Sequence, residues 1–323
     1  MNRTQPLTRR PLGGTGLSIA PLVFGGNVFG WTADEATSFD LLDRFVDAGF
    51  DAIDTADVYS AWAPGHVGGE SETIIGKWMK ARGARDRITL ITKVGSPMGE
   101  GKKGLSARYI PEAVEASLRR LQTDAIDLYL SHWPDPETPY EETLAAYEKL
   151  VKAGKVRAIG CSNLDADQLK ASLAAAAANS LPRYEVLQPE YNLHDRAKFE
   201  GPLADLCTAE GIGVITYFSL AKGFLSGKYR SEADLGKSPR GERGVRPYLT
   251  ERGFRVLAAL DEVAEAHGAR PAEVAVAWLM HKPAVTAPIA SATTREQLES
   301  LVRSTSLSLG AADMAKLDAA GAL

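Results

Sequence analysis

The fold this sequence predicts is a closed (β/α)8 barrel, the TIM barrel, preceded by an N-terminal β-hairpin. Three observations lead there. After residue 20, short runs rich in Val, Ile and Leu alternate with longer amphipathic segments, the repeat of a parallel sheet covered by helices. The chain has 323 residues, a length that one such barrel fills. Polar residues end almost every apolar run, as they do where barrel strands open onto a shared site. Periodicity alone also allows an open doubly wound sheet, but eight strand–helix alternations over this length favour closure.

The segment TRRPLGGTGLSIA reads as the hairpin, turning over residues 13–16. The strand candidates are PLVFGG, FDAIDTA, RITLITKV, AIDLYLSHW, VRAIGCSN, EVLQPE, GVITYF and VTAPIA. Asp34 is placed to cap a helix through Leu41, Leu42, Phe45 and Val46, with Gly49 at its end. Helical periodicity continues over 70–79, 111–121, 141–153, 165–178, 203–210, 252–267, 271–281 and 295–303. The Ala-rich stretch 171–178 reads as exposed helix. The polar segment 230–247 reads as a long loop, functional or mobile rather than part of the core. No Pro/Gly/Ser-rich linker or short repeat divides the chain, so a single domain over 1–323 is expected.

Composition narrows the function classes. A net charge of -4 argues against a nucleic-acid or anionic-membrane surface. Two cysteines, Cys161 and Cys207, make no disulfide framework and suit a reducing compartment. The N-terminus lacks the apolar core of a signal peptide, and no apolar run approaches the roughly 20 residues that span a bilayer. A cytoplasmic location is expected.

Chemistry gathers at the strand ends. They carry Gly26 and Asn27, Asp54 with Tyr59 just beyond, Lys93, His132, Ser162 and Asn163, Gln188, Tyr217, and the segment 291–294. A free tyrosine titrates near pH 10, too high for ready proton exchange at neutrality, and a nearby ammonium lowers that value. A buried lysine needs a carboxylate to keep its charge, which Asp54 supplies. A histidine orients a carbonyl oxygen as negative charge develops on it. Singly, each signal is weak: such an Asp usually caps a turn, such a Lys is usually solvated, and such a His is usually structural. Together, Asp54, Tyr59, Lys93 and His132 suit proton delivery to a carbonyl that receives hydride. No second histidine stands at ligand spacing from His132, so no metal site is expected. A Schiff-base enzyme on Lys93 leaves Tyr59 and Gln188 without a purpose.

The stretches FDAIDTADVYSAWAPGHVGGESETIIGKWM, ITKVG, IDLYLSHWPD, IGCSN, LQPEYNLHDR, FSLAKGFLSGKY and APIASATTREQLESL together resemble the aldo-keto reductase family. The resemblance runs over nearly the whole chain and is nearest the branch of potassium-channel β subunits and bacterial reductases. It implies a TIM barrel, a nicotinamide cofactor and reduction of aldehydes or ketones. It makes Asp54, Tyr59, Lys93 and His132 the catalytic tetrad, with Tyr59 the general acid. Family members hold the cofactor across the barrel mouth without a Rossmann domain, and no G-x-G-x-x-G follows a strand here.

By the same resemblance Ser162, Asn163 and Gln188 fall at the nicotinamide carboxamide and Tyr217 on the nicotinamide face. Phe218, Ser219 and Leu220, with Lys228, match the pyrophosphate segment. Arg240 lies in the long loop where relatives supply a further phosphate contact. Gly26, Asn27 and Asp54 are counted with the cofactor contacts. Ser291, Thr293, Thr294 and Gln297 match the adenosine end. Relatives often carry Lys or Arg where this chain has Ser291 and Thr293, and Asn where it has Leu301. NADPH stays the first expectation, because Thr294, the adjoining Arg295 and the helix N-terminus near Thr294 suit a phosphate, and NADH is the alternative. Trp31, Trp62 and Trp133 are candidates for an apolar pocket around a small carbonyl substrate. Oligomeric state is left open. The rival from another class, suggested by the channel-associated relatives, is a regulatory subunit that holds the cofactor and turns over slowly.

Overall fold

The computed structural model describes residues 7–239 and 241–322. Strands β1 (Arg10–Pro11) and β2 (Ser18–Ile19) pair antiparallel. In the turn between them Gly13 and Gly16 adopt φ of 56° and 74°, a region where glycine pays no Cβ penalty. Eight parallel strands follow: β3 (Val23–Gly25), β4 (Ala52–Asp54), β5 (Thr89–Val94), β6 (Ile126–Ser131), β7 (Val156–Ser162), β8 (Val186–Gln188), β9 (Gly213–Thr216) and β10 (Ala287–Ala290). Each lies within one of the apolar runs. Strands β3 to β9 neighbour one another in sequence order, and β10 closes the ring between β9 and β3. Pairing of Ile289 with Val23 and of Ala287 with Ile215 rules out the open sheet.

Side-chain alternation divides the core into two layers. Inside the barrel, Val23, Ala52, Ile91, Leu128, Leu130, Val186 and Ile215 meet Leu12 and Ile19 of the hairpin. Both hairpin residues are fully buried, so the hairpin plugs one end of the barrel. Burial of two such side chains stabilises by roughly 1.5–3 kcal/mol each. Outside, residues such as Phe24, Ile53, Leu90 and Tyr129 face the helices.

Those helices are α1 (Glu35–Asp47), α2 (Glu70–Arg82), α3 (Tyr109–Leu121), α4 (Tyr140–Lys152), α5 (Ala166–Asn179), α6 (Pro202–Glu210), α7 (Glu251–His267), α8 (Pro271–Met280), α9 (Arg295–Ser304) and α10 (Ala311–Gly321). Asp34 caps α1 through the Thr37 amide and Asp165 caps α5 through that of Gln168, each a contribution of about 1 kcal/mol. Helix α2 runs past its expected end to Gly83, whose φ of 57° stops it.

Two features depart from the sequence reading. Helix α10 was not foreseen, because an Ala-rich segment with few large apolar residues carries little periodic signal. It is fastened by the buried Leu317 and Ala320, which join the main core, and by polar bonds: Asp318 Oδ1 accepts from Trp278 Nε1 at 2.9 Å and from Lys282 Nζ at 2.6 Å. The segment 230–247 is not wholly outside the core. It folds into short turns whose Leu235 and Val245 are buried, and Tyr248 Oη just beyond donates to Asp195 at 2.7 Å. Among the described residues no helix is long and apolar enough to cross a membrane.

Candidate active site

Parallel register brings the strand ends to one rim. Asp54 stands beside Gly25 and Ile91, Lys93 beside Leu130, and Ser162 beside Gln188. Gly26 follows β3 where a Cβ would lie 3.0 Å from the Asp54 carbonyl oxygen and from Ser71 Oγ. A larger residue there would press on the backbone that carries Asp54.

Lys93 is fully buried, and its ammonium is surrounded by oxygen. Nζ donates to Asp54 Oδ2 at 2.7 Å, Asp54 Oδ1 at 2.9 Å and the Thr55 carbonyl at 2.7 Å, and reaches Tyr59 Oη at 3.4 Å. Gln188 Nε2 donates to Asp54 Oδ1 at 2.7 Å. Burial alone pushes the ammonium down. The Asp54 carboxylate and the Tyr59 oxygen outweigh it, so Lys93 is held above its ordinary value. Its charge is thus kept in a place where an unpaired charge would be expelled.

His132 follows β6 on the same rim. Burial first, and the Lys93 charge second, push its imidazolium well below the ordinary range, so the ring is neutral. Nδ1 lies 3.0 Å from Ser96 Oγ, which leaves Nε2 free to take the complementary role. The His132 and Tyr59 rings stand 5.9 Å apart at 71°.

The residues assigned to the cofactor fall into three groups. Asn163, at φ 64°, ties together its neighbours: Nδ2 donates to the His132 carbonyl at 2.9 Å and Oδ1 accepts from Tyr217 Oη at 2.7 Å. Ser162 Oγ donates to the Gln188 carbonyl at 2.7 Å. The second group follows β9. Phe218, Ala221 and Lys222 take φ of 53°, 45° and 59°, left-handed conformations that cost side-chain-bearing residues about 1–2 kcal/mol each. Ser219 Oγ anchors that turn on the Ile289 carbonyl at 2.7 Å, and half-buried Leu220 packs against the core. Lys228 is exposed, its Nζ 5.1 Å from the Tyr229 ring centroid. Arg240 lies outside the described residues.

The third group ends β10. Ser291 Oγ donates to Asn27 Oδ1 at 2.7 Å, joining the ends of β10 and β3. Thr294 caps α9 by accepting from the Gln297 amide at 3.2 Å. Gln297 Oε1 in turn accepts from the Thr293 amide at 2.8 Å and its hydroxyl at 3.1 Å.

The tryptophans gather as well. Trp62 packs edge-on against Tyr59 at 5.5 Å and against Trp31 at 5.7 Å, while Trp133 stacks on His132 at 5.9 Å. Trp62 and Trp133 are 47% and 49% exposed, so two indoles open to solvent beside the phenol and imidazole.

Sequence reasoning missed Thr55, whose carbonyl takes the third hydrogen bond of Lys93, because a backbone contact leaves no side-chain signature. It missed Ser96, although a hydroxyl so soon after Lys93 at a strand end was a usable signal. It also missed Lys222, whose Nζ lies 5.1 Å from the Phe218 ring centroid, in the segment it had singled out.

With this geometry in view, comparison with known proteins adds the kinship. A model of the aldo/keto reductase family matches residues 21–322. The chain is 32% identical to Protein tas of Escherichia coli over 331 aligned residues, 94% of each chain. It is 33% identical to the aldo-keto reductase YhdN of Bacillus subtilis over 307 residues, 92% of this chain and 87% of the relative. A probable voltage-gated potassium channel subunit beta of Arabidopsis thaliana is 33% identical over 296 residues, 89% of this chain and 88% of the relative.

Proposed function

The chain belongs to the aldo/keto reductase family, and from that premise we propose that it reduces aldehydes or ketones to alcohols with NADPH, or with NADH as the alternative. Membership and the reductase-named relative give it a general oxidoreductase role. The observation that carries the finer reading is the buried Lys93 ammonium lying between the Asp54 carboxylate and the Tyr59 hydroxyl.

When bound, the reduced nicotinamide supplies the hydride that the carbonyl carbon accepts. The protein's task is then to hold the substrate and give a proton to its oxygen. Tyr59 Oη is that donor. The tyrosinate it becomes is stabilised by Lys93 Nζ, whose charge Asp54 maintains. Neutral His132 offers an N–H to the carbonyl oxygen, which orients it and bears part of the developing charge. Trp62 and Trp133 exclude water beside the reacting group and receive the apolar part of the substrate.

The donor set fits the cofactor. The Asn163 amide, the Ser162 hydroxyl and Gln188 suit a carboxamide, and the Tyr217 ring suits a nicotinamide face. The left-handed residues Ala221 and Lys222 fold the chain after β9 into a tight turn whose Ala221 and Gly223 amides already donate to the Phe218 and Leu220 carbonyls, so the fit to a pyrophosphate there rests on the segment's cations. Cations at Lys222 and Lys228 add charge to that end.

The test is oxidation of NADPH and NADH, followed at the reduced-nicotinamide absorbance band, with a panel of aldehydes and ketones. Wild type is expected to turn over. Tyr59→Phe is expected to lose a factor of about 10²–10⁴, the usual worth of a positioned general acid, while still binding cofactor. Equal rates in the two proteins would remove Tyr59 from the mechanism. Cofactor binding without turnover on any carbonyl would favour instead a regulatory subunit, the role suggested by the name of the plant relative.

A further inference from the structure

We propose that Asp40, a residue outside the reacting centre, sets this chain's preference between cofactors with and without a 2′-phosphate by holding Arg295 in an ion pair. The inference rests on the reading that Thr293, Thr294 and Gln297 receive the adenosine end of the cofactor.

Arg295 is the first residue of α9, directly after the capping Thr294. It is a cation directly adjoining Thr294 in the chain, and two of its five N–H donors are already engaged. Nε donates to Asp40 Oδ2 and Nη2 to Asp40 Oδ1, each at 2.8 Å, the two-pronged geometry that a guanidinium would otherwise offer to phosphate. Asp40 belongs to α1 and also accepts from Arg44 Nε at 3.0 Å. The two arginines hold its carboxyl below the ordinary range, so it is anionic at neutral pH. Arg270, at the start of α8, is likewise paired, with Glu296 at 2.9 Å. Thr293, Thr294 and Gln297 carry no charge.

A 2′-phosphate brings a charge of about -1.5 to -2 at pH 7. To bind Arg295 it must displace Asp40, or share the guanidinium with a carboxylate that repels it. A ribose 2′-hydroxyl meets no such repulsion. The pair is exposed, with side chains 63% and 32% accessible, so it holds Arg295 by only a modest margin. That margin is nevertheless charged against NADPH and not against NADH. Asp40 therefore lowers an advantage that Arg295 would confer if it were free.

The test is a fluorescence titration of NADPH and NADH into wild type, Asp40→Asn, and the double variant Asp40→Asn/Arg295→Gln. In Asp40→Asn the Kd for NADPH is expected to fall about fivefold to tenfold, the scale of one added charge-assisted contact, with NADH changed less than twofold. Adding Arg295→Gln should return NADPH to near its wild-type Kd, which separates release of Arg295 from a general gain of positive charge. The effect should shrink as salt rises toward roughly 0.5 M. Tightening of both cofactors alike, no tightening of either, or a double variant that keeps the NADPH gain would each overturn the proposal. Wild type that binds neither cofactor would sink the cofactor reading itself, and this inference with it. Binding of both with no change in Asp40→Asn sinks this inference alone.

Discussion

Two carboxylate–cation pairs in this molecule have nearly the same length and opposite surroundings. Lys93 and Asp54 meet at 2.7 Å with side chains 0% and 3% exposed, whereas Arg295 and Asp40 meet at 2.8 Å with side chains 63% and 32% exposed. At about 4 Å separation two unit charges attract by roughly 1 kcal/mol in water and roughly 4 kcal/mol at the effective dielectric of a protein site. Distance therefore decides little between them. The buried pair is part of the folded state, because neither member can be left alone out of water. The exposed pair is an arrangement that water or a ligand can replace. A site that must keep one charge state through every turnover gains from the first kind, and a contact that discriminates between ligands gains from the second.

The contrast is broken most severely at the buried end. Asp54→Asn leaves the Lys93 ammonium without its counter-charge, and loss of one partner of such a pair costs about 3–5 kcal/mol. Urea unfolding should show that loss together with loss of turnover. Replacing both groups, as in Asp54→Leu/Lys93→Met, removes the stranded charge and should be less destabilising than Asp54→Asn alone. A single variant that loses under about 1 kcal/mol would mean that the pair is as replaceable as a surface one.

The same burial gives the site a pH signature. His132 titrates near 6.5 in the unfolded chain and well below that when folded. Between those values the unfolded chain binds one proton more, so stability rises with pH. Above about 6.5 the group contributes no slope. Below it, stability should fall by about 1.4 kcal/mol per pH unit until the folded histidine takes its proton. His132→Gln should flatten that part of the curve relative to wild type. An unchanged slope would assign the acid sensitivity to another group.

What the sequence revealed follows the same division between buried and exposed. The eight barrel strands were legible because each is an apolar run buried on both faces. Asp54, Tyr59, Lys93 and His132 were legible only through their joint placement at successive strand ends, since each alone is a weak signal, and the structure sets them side by side. Helix α10 was not, since Asp318, Trp278 and Lys282 join it to the body through contacts that no local period encodes. Asp40 was not, since it looks like any charged residue on an amphipathic helix. Its pairing with a residue 255 positions away exists only once the barrel has closed. The segment proposed for the adenosine end read poorly for that reason: the charges beside it are set by α1 meeting α9, not by its own motif.

The smallest effect tests the exposed end on stability rather than binding. Arg295→Ala removes both hydrogen bonds to Asp40, and a contact list would rank that loss beside Asp54→Asn. Solvent argues otherwise. Asp40 keeps Arg44 at 3.0 Å and has water at hand, so no buried charge is stranded and the loss should stay below about 1 kcal/mol. It should also diminish with added salt, since exposed charges are screened within about 10 Å at 0.1 M. Urea midpoints of wild type and Arg295→Ala at low and high salt measure both quantities. A loss above about 2 kcal/mol, or one that salt leaves unchanged, would show that the pair fastens α9 to α1 as part of the fold. In that case Arg295 would not be released by a competing phosphate, and the two pairs would differ in exposure without differing in kind.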